Sequence, residues 1–186
     1  LAVLQSGLKT DSQADDAMQE QINRMNAIVE YQLQRAATAG SSSSAQSLEV
    51  KPVLQRMLDS LGKVYQDKGI KLQLRVNEQL RFKGDEGDLL ELLGNLLDNA
   101  YKWAQQRIEV VAEAQGKQLL LRVMDDGPGI PADQVETLLQ RGMRADQNVA
   151  GHGIGLSIVG NIVDAYHGTL SIHTSPLGGA EIRVLL

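Results

Sequence analysis

The chain has 186 residues and a formal charge of -5, from 18 Lys and Arg against 23 Asp and Glu, with 42% hydrophobic and 22% charged residues. That composition is globular rather than disordered, the length suits one domain with a modest appendage, and the acidic balance argues against a free-standing nucleic-acid binder. The lack of cysteine excludes disulfides, thiol catalysis and Cys-based zinc sites, and only three His argue against a multi-His metal centre. No apolar run approaches the roughly 18 residues that span a bilayer. There is no signal-peptide pattern. The chain opens at Leu1 without an initiator Met, and we expect a piece of something longer.

In chain order, Met18, Ile22, Met25, Val29 and Ala36 recur in steps of three or four, with Gln32 as the polar slot. This predicts a helix from Met18 to Ala37 with one apolar face. It either packs on the following domain or forms half of a helical hairpin or dimerisation bundle, with Leu1, Leu4 and Leu8 as the stub of its mate. Gly40 and Ser41 to Ser44 read as a flexible linker. The expected organisation is a helical segment over 1–40, a linker over 41–47 and the main domain over 48–186.

Beyond the linker, Val53, Leu54, Met57, Leu58, Leu61 and Val64 give a helical period starting near Pro52, and Gly69 ends it. Ile70 to Val76 alternates as a half-buried strand, and Leu80 and Phe82 suggest a short second one. Asp88 to Trp103 is helical. Ile108 to Ala114 and Leu119 to Met124 are strands joined near Gln115-Gly116. Asp133 to Leu139 is a short helix, followed by a glycine-rich stretch to Gly153. Ile154 to Tyr166 is helical, and Thr169 to His173 with Ala180 to Leu185 form a closing hairpin. Several strands are neighbours in sequence, so the expectation is an α+β two-layer sandwich with a mixed sheet, not a doubly wound parallel one.

Three stretches carry chemistry. On the helix from Asp88 to Trp103, at about 100° per residue, Asn95, Asp98, Asn99 and Lys102 share one arc, opposite Leu89, Leu92, Leu93, Leu96 and Ala100. A solvated face is one reading. Against it, Asn is a poor helix former, and two Asn one turn apart in mid-helix suggest a site. An amide oxygen suits Mg2+ and a Lys suits phosphate. Asp125-Asp126-Gly127-Pro128-Gly129-Ile130-Pro131 follows a strand directly. It reads as a turn, or as a place where backbone comes close to a flat ligand and a buried Asp accepts from an exocyclic amine. Gly151-His152-Gly153-Ile154-Gly155-Leu156 opens a helix, where free N–H groups and the helix dipole favour an anion. It is neither a dinucleotide fingerprint nor a P-loop, for no strand leads into it and no Gly-Lys-Ser/Thr follows.

In this order the three stretches resemble the N, G1 and G2 boxes of the ATP-binding domain of sensor histidine kinases, in the GHKL superfamily. The resemblance runs from about Leu48 to the C-terminus. Leu1-Ala-Val-Leu-Gln-Ser, Lys63-Val-Tyr-Gln-Asp-Lys-Gly and Arg141-Gly-Met-Arg144 are similar to the PhoQ-type subgroup. It implies a Bergerat fold in which Asn95 binds Mg2+, Asn99 and Lys102 contact phosphates, and Asp125 accepts from the adenine amine. Gly127 and Gly129 would make room for the base. Gly151, Gly153 and Gly155 would close over the phosphates, with a lid over 133–150, and Ile130, Ile154 and Leu156 would also line the ATP site. Arg144 reaches the phosphates or is merely solvated, Trp103 flanks adenine or is a core tryptophan, and His152 touches phosphate or metal or stands by. His167 and His173 read as structural. Leu138-Leu139 stands where the family usually has a Phe before the lid.

The same resemblance implies that the acceptor-His motif stands just before the segment like Leu1-Ala-Val-Leu-Gln and is not in this chain. Residues 1–40 would then be the remnant of the dimerisation and phosphotransfer hairpin. The implied partners are a response regulator and a second copy of the full protein. The implied setting is the cytoplasmic side of a bacterial inner membrane, with membrane contact only through segments outside the chain and no nucleic acid. Gyrase, MutL and Hsp90-like members carry a Glu at the Asn95 position as general base for water, and an amide cannot accept that proton. The expectation is therefore phosphoryl transfer to protein, without self-labelling by this chain. A degenerate nucleotide-binding module and a GHKL-type ATPase using Asp98 are the alternatives.

Overall fold

The computed structural model describes residues 47–143 and 154–186. The expected Met18 to Ala37 helix, the serine linker, and Arg144, Gly151, His152 and Gly153 lie outside the described residues.

Strict alternation builds the sheet. Strand β4 (Arg107–Gln115) buries Ile108, Val110 and Ala112, and β5 (Gln118–Asp125) buries Leu119, Leu121 and Val123. The register sets Val110 opposite Val123 and Ala112 opposite Leu121. Strand β7 (Ala180–Leu185) then places Ile182 beside Val123 and Val184 beside Leu121. One face of the three central strands is thus continuously apolar, and the other carries the intervening polar residues. With β2 (Lys71–Val76) and β6 (Thr169–Thr174) at its edges, the five-stranded sheet has the order β2-β4-β5-β7-β6. Only the β2–β4 pair in it is parallel. The mixed sheet follows the expectation.

Four described helices accompany the sheet: α1 (Val50–Val64), α2 (Glu86–Trp103), α3 (Ala132–Met143) and α4 (Ile154–Ala165). Helix α2 is the hub. It packs against α1, α4 and β5, while α3 packs against α4. Its stripe of Leu89, Leu92, Leu93, Leu96 and Leu97 is fully buried, and each such side chain contributes about 1.5–3 kcal/mol of hydrophobic burial.

The element boundaries differ from expectation in instructive places. A short strand β1 (Ser47–Glu49) pairs with β3 (Arg81–Lys83), Leu48 opposite Phe82. Three residues beside a serine run are too few to show a period. Helix α1 begins two residues before Pro52, in the first turn where the missing N–H has no intrahelical partner to lose. Helix α2 starts at Glu86, because Asp85 caps it, its Oδ1 accepting from Gly87 N (2.8 Å) and Asp88 N (3.3 Å). Helix α3 runs on to Met143, four residues past Leu139.

Candidate functional site

The buried leucine stripe of α2 turns the opposite arc outward. Asn95, Asp98 and Asn99 are half-buried and Lys102 is exposed, so the arc read from the sequence exists as a face. The Asn95 amide is oriented: Nδ2 donates to the Glu91 carbonyl at 2.8 Å, which leaves Oδ1 outward. What faces it is the start of α4. A Cβ added to Gly155 would stand 3.1 Å from Asn95 Oδ1 and 3.2 Å from Asn99 Nδ2. Gly155 therefore lets the helix approach the two amides, and the first and third sequence stretches meet there.

The second stretch meets α2 at its other extremity. Asp125 ends β5 and is 6% exposed. Its Oδ1 accepts from Gly127 N (2.8 Å) and Ala180 N (3.2 Å). A Cβ on Gly127 would lie 2.5 Å from the Trp103 carbonyl oxygen and 2.9 Å from Asp125 Oδ1. Glycine is thus required where the Asp125 turn docks on the end of α2. Gly129 sits at φ +73°, with the Gly179 carbonyl oxygen 3.4 Å from where its Cβ would be. Trp103 itself is 44% exposed, which removes the core-tryptophan reading. Ile130 is half-buried beyond the turn. Leu156 is 7% exposed and packs in the core. Leu138 is half-buried on α3. His167 takes φ +54° just past the end of α4, and His173 Nε2 lies 3.0 Å from Ser171 Oγ on the exposed sheet edge, both structural positions as expected.

The electrostatics separate adjacent acids. Burial pushes the Asp125 carboxyl above the usual range, its two backbone donors only partly opposing this, with the charge of Asp126 adding to the rise. Burial also acts on Asp126, but its Oδ1 accepts from Gln105 N (2.9 Å), Gln106 N (3.0 Å) and Arg107 N (3.0 Å). These donors and the Arg107 guanidinium outweigh burial and bring Asp126 down to about 2. Lys102 Nζ lies 2.6 Å from Asp98 Oδ2.

A family profile described as "Histidine kinase-, DNA gyrase B-, and HSP90-like ATPase" matches residues 84–186, the span that holds all three stretches. The chain belongs to this family. It is 37% identical over 193 residues to the sensor protein PhoQ of Escherichia coli (strain K12), covering 100% of this chain and 40% of that one. It is 41% identical over 167 residues to the two-component sensor PhoQ of Pseudomonas aeruginosa, covering 90% of this chain and 37% of the relative. The chain thus spans about two fifths of the length of these relatives. The mycobacterial sensor histidine kinase MprB superposes with a TM-score of 0.65 at 26% identity, over 76% of this chain and 96% of that one. The catalytic domain of histidine kinase ThkA shares the fold, with a TM-score of 0.67 at 19% identity, over 76% of this chain and 94% of that one. Together they bear out the α+β sandwich and the family likeness read from the sequence.

Three residues that brace these stretches are not singled out by the sequence reading. Gly179 falls in the turn of the closing hairpin, between β6 and β7. Yet a Cβ there would lie 2.1 Å from Asp125 Oδ1 and 2.4 Å from Gly127 N, so the hairpin's glycine makes room for the acid. The sequence places Asp126 in the turn, with no local sign that it anchors the chain entering β4. Tyr65, 33 residues before Asp98, donates its hydroxyl to that carboxylate. The Gly178-Gly179 pair was the one available signal among them.

Proposed function

We propose that this chain is the ATP-binding catalytic portion of a two-component sensor histidine kinase. The observation that carries the reading is the meeting of Gly155 with the Asn95 and Asn99 amides, with buried Asp125 on glycine-lined backbone at the end of the same helix. This suits an adenine nucleotide laid along α2. Both backbone donors to Asp125 use Oδ1, and Oδ2 would accept from the adenine amine. Trp103 would flank the base. Asn99, Lys102, Gly151, Gly153, Gly155 and the lid residue Arg144 would attend the phosphates, with His152, Ile154 and Leu156 beside them.

Among the described residues no cluster of three His, Asp or Glu could hold a metal by itself. The donor set nevertheless fits Mg2+, which takes few protein ligands and fills its shell with phosphate and water. Asn95 Oδ1 is the oxygen left over once Nδ2 is spent on Glu91. When bound, the ion would neutralise phosphate charge during transfer. The residues of this chain would position the nucleotide and leave the acceptor His to be supplied from elsewhere in the full protein.

Phosphoryl transfer fits better than hydrolysis. Asn95 is an amide and cannot serve as general base. Asp98, the acid on the same face, is committed to Tyr65 Oη (2.6 Å) and Lys102 Nζ (2.6 Å). The full protein would pair with a second copy and pass phosphate to a response regulator on the cytoplasmic side of a bacterial inner membrane. We propose that segments outside this chain carry the anchor; no described helix is long and apolar enough to cross a membrane.

The test is calorimetric titration with a non-hydrolysable ATP analogue, with and without Mg2+. Saturable one-site binding strengthened by Mg2+ is expected, together with no self-labelling from radioactive ATP. A folded chain that binds no analogue would instead be a degenerate module.

A further inference from the structure

The segment after α1 reaches the end of α2 twice. Tyr65 donates its hydroxyl hydrogen to Asp98 Oδ1 at 2.6 Å and stacks on Tyr101, ring centroids 5.3 Å apart and planes 13° off parallel. Three residues on, Lys68 Nζ donates to the carbonyls of Tyr101 (2.8 Å) and Lys102 (2.6 Å). These are helix-end carbonyls without intrahelical partners, and a cation there also meets the negative end of the helix dipole. The second oxygen of Asp98 holds Lys102 Nζ at 2.6 Å. Lys102 is therefore gripped through its backbone by Lys68 and through its side chain by Asp98, and Asp98 is in turn fixed by Tyr65.

An i,i+4 ion pair between exposed groups is by itself a weak restraint. Here the Lys102 side chain is 56% exposed and that of Asp98 34%. What turns the pair into a fixed arrangement is the phenol on the other carboxylate oxygen, backed by a ring stack that keeps Tyr65 from swinging away. Burial and then Asp98 raise the Tyr65 phenol to about 12, so it remains a donor throughout the pH range of a working protein.

We propose that Tyr65 and Lys68 are positioning residues for Lys102, a clasp from outside the nucleotide site that presets the ammonium, on the helix face it shares with Asn95 and Asn99, for the phosphates of a bound nucleotide. The inference rests on the reading above that Lys102 meets those phosphates. A free lysine gives up several rotatable bonds when it docks on an anion. In this chain much of that ordering is already present before the ligand arrives, which raises affinity without any new contact.

The experiment titrates the wild type, Tyr65→Phe, Lys102→Met and the double variant with a non-hydrolysable ATP analogue and, separately, with adenosine. Tyr65→Phe should weaken the analogue by about threefold to tenfold, the effect of one hydrogen bond, and leave adenosine within about twofold. Lys102→Met should remove most of the analogue's advantage over adenosine, and adding Tyr65→Phe to it should cost nothing more. Equal weakening of both ligands by Tyr65→Phe, or additive losses in the double variant, would mean a merely structural role and overturn the proposal. So would a Tyr65→Phe protein that binds like the wild type while Lys102→Met does not. If Lys102→Met itself binds the analogue normally, the phosphate role of Lys102 falls, and the clasp with it. Thermal melting checks folding, and should Tyr65→Phe fail to fold, Lys68→Gln at an exposed side chain carries the same comparison.

Discussion

Among the described residues, the two faces of the sheet each bury a carboxylate, and they treat it in opposite ways. On the helix-covered face Asp125 is 6% exposed and meets only the backbone N–H groups of Gly127 and Ala180. Burial leaves its carboxyl raised. On the open face Glu181 is 1% exposed, with Arg122 Nε at 2.6 Å and Arg183 Nε at 2.9 Å on one of its oxygens. Burial acts on it too, but the Arg183 and Arg122 guanidiniums outweigh it and hold the carboxyl below its usual range. A buried acid with its counter-charges in place is complete and holds strands together. A buried acid given no cation, and seated among glycines, is the one we propose to meet the adenine amine.

The comparison breaks most visibly at Gly179. A Cβ there would overlap Asp125 Oδ1 at 2.1 Å and Gly127 N at 2.4 Å, both part of the fixed turn. Gly179→Ala should destabilise the domain by about 3 kcal/mol or more in urea denaturation and abolish binding of an ATP analogue. Its neighbour Gly178, at φ +108° with nothing near its Cβ position, meets backbone strain alone. Gly178→Ala should therefore cost about 1–2 kcal/mol and leave binding intact. Equal behaviour of the two variants would show that the pocket around Asp125 is not tightly built.

The next pair exchanges the two readouts. Glu181→Gln removes the charge from between two guanidiniums whose side chains are 27% and 41% exposed. Partial solvation tempers the loss, and about 2–3 kcal/mol of stability is expected, with analogue affinity unchanged. Asp125→Asn keeps an acceptor for Gly127 N but offers an amide where the ligand amine would come. Stability should move by no more than about 1 kcal/mol, while affinity falls roughly tenfold or more. Calorimetry beside chemical denaturation of both variants decides it. The opposite pattern would make Glu181 the ligand-facing acid and Asp125 the structural one.

The parts of this arrangement that lay open in the sequence are those encoded within one element. Asn95, Asp98, Asn99 and Lys102 could be placed together because a helix converts spacing into direction. The alternation of Ile108, Val110 and Ala112 did the same for the sheet. Asp125 was legible because its glycines follow it immediately. What stayed hidden depends on pairings between distant segments. Gly179 meets Asp125 only because β7 lies beside β5, and Tyr65 meets Asp98 only because α1 folds back on α2. Trp103 could be read as core or as a flank of the base, since a helix-end position does not fix which way the ring is covered. Strand β1 has too few residues to show a period, and only its pairing with β3 defines it.

Asp126 sharpens the comparison with the smallest effect, because it adjoins Asp125 and has the opposite electrostatics. Its side chain is 10% exposed, and three backbone N–H groups converge on Oδ1 while Arg107 Nε lies 3.4 Å from Oδ2. The folded carboxyl titrates at about 2 against an ordinary 3.8. A lowered folded value means that the stabilisation is fully present above the unfolded pKa and is lost as pH falls through the folded one. The window for this residue therefore runs from about pH 4 down to about pH 2. Asp126→Asn keeps an oxygen for the three donors and removes only the charge, so the wild type should exceed it by about 1–2 kcal/mol at neutral pH. Glu181 titrates in both proteins and cancels in the difference, whereas Asp125 loses the repulsion of the Asp126 charge in the variant, which takes a little from the gap at neutral pH. Urea denaturation of the pair from pH 7 to pH 3 should give a nearly constant gap down to about pH 4 that then narrows. A gap that stays constant to pH 3 would mean that the charge on Asp126 is not what anchors the start of β4, and that the N–H cluster needs only an oxygen there.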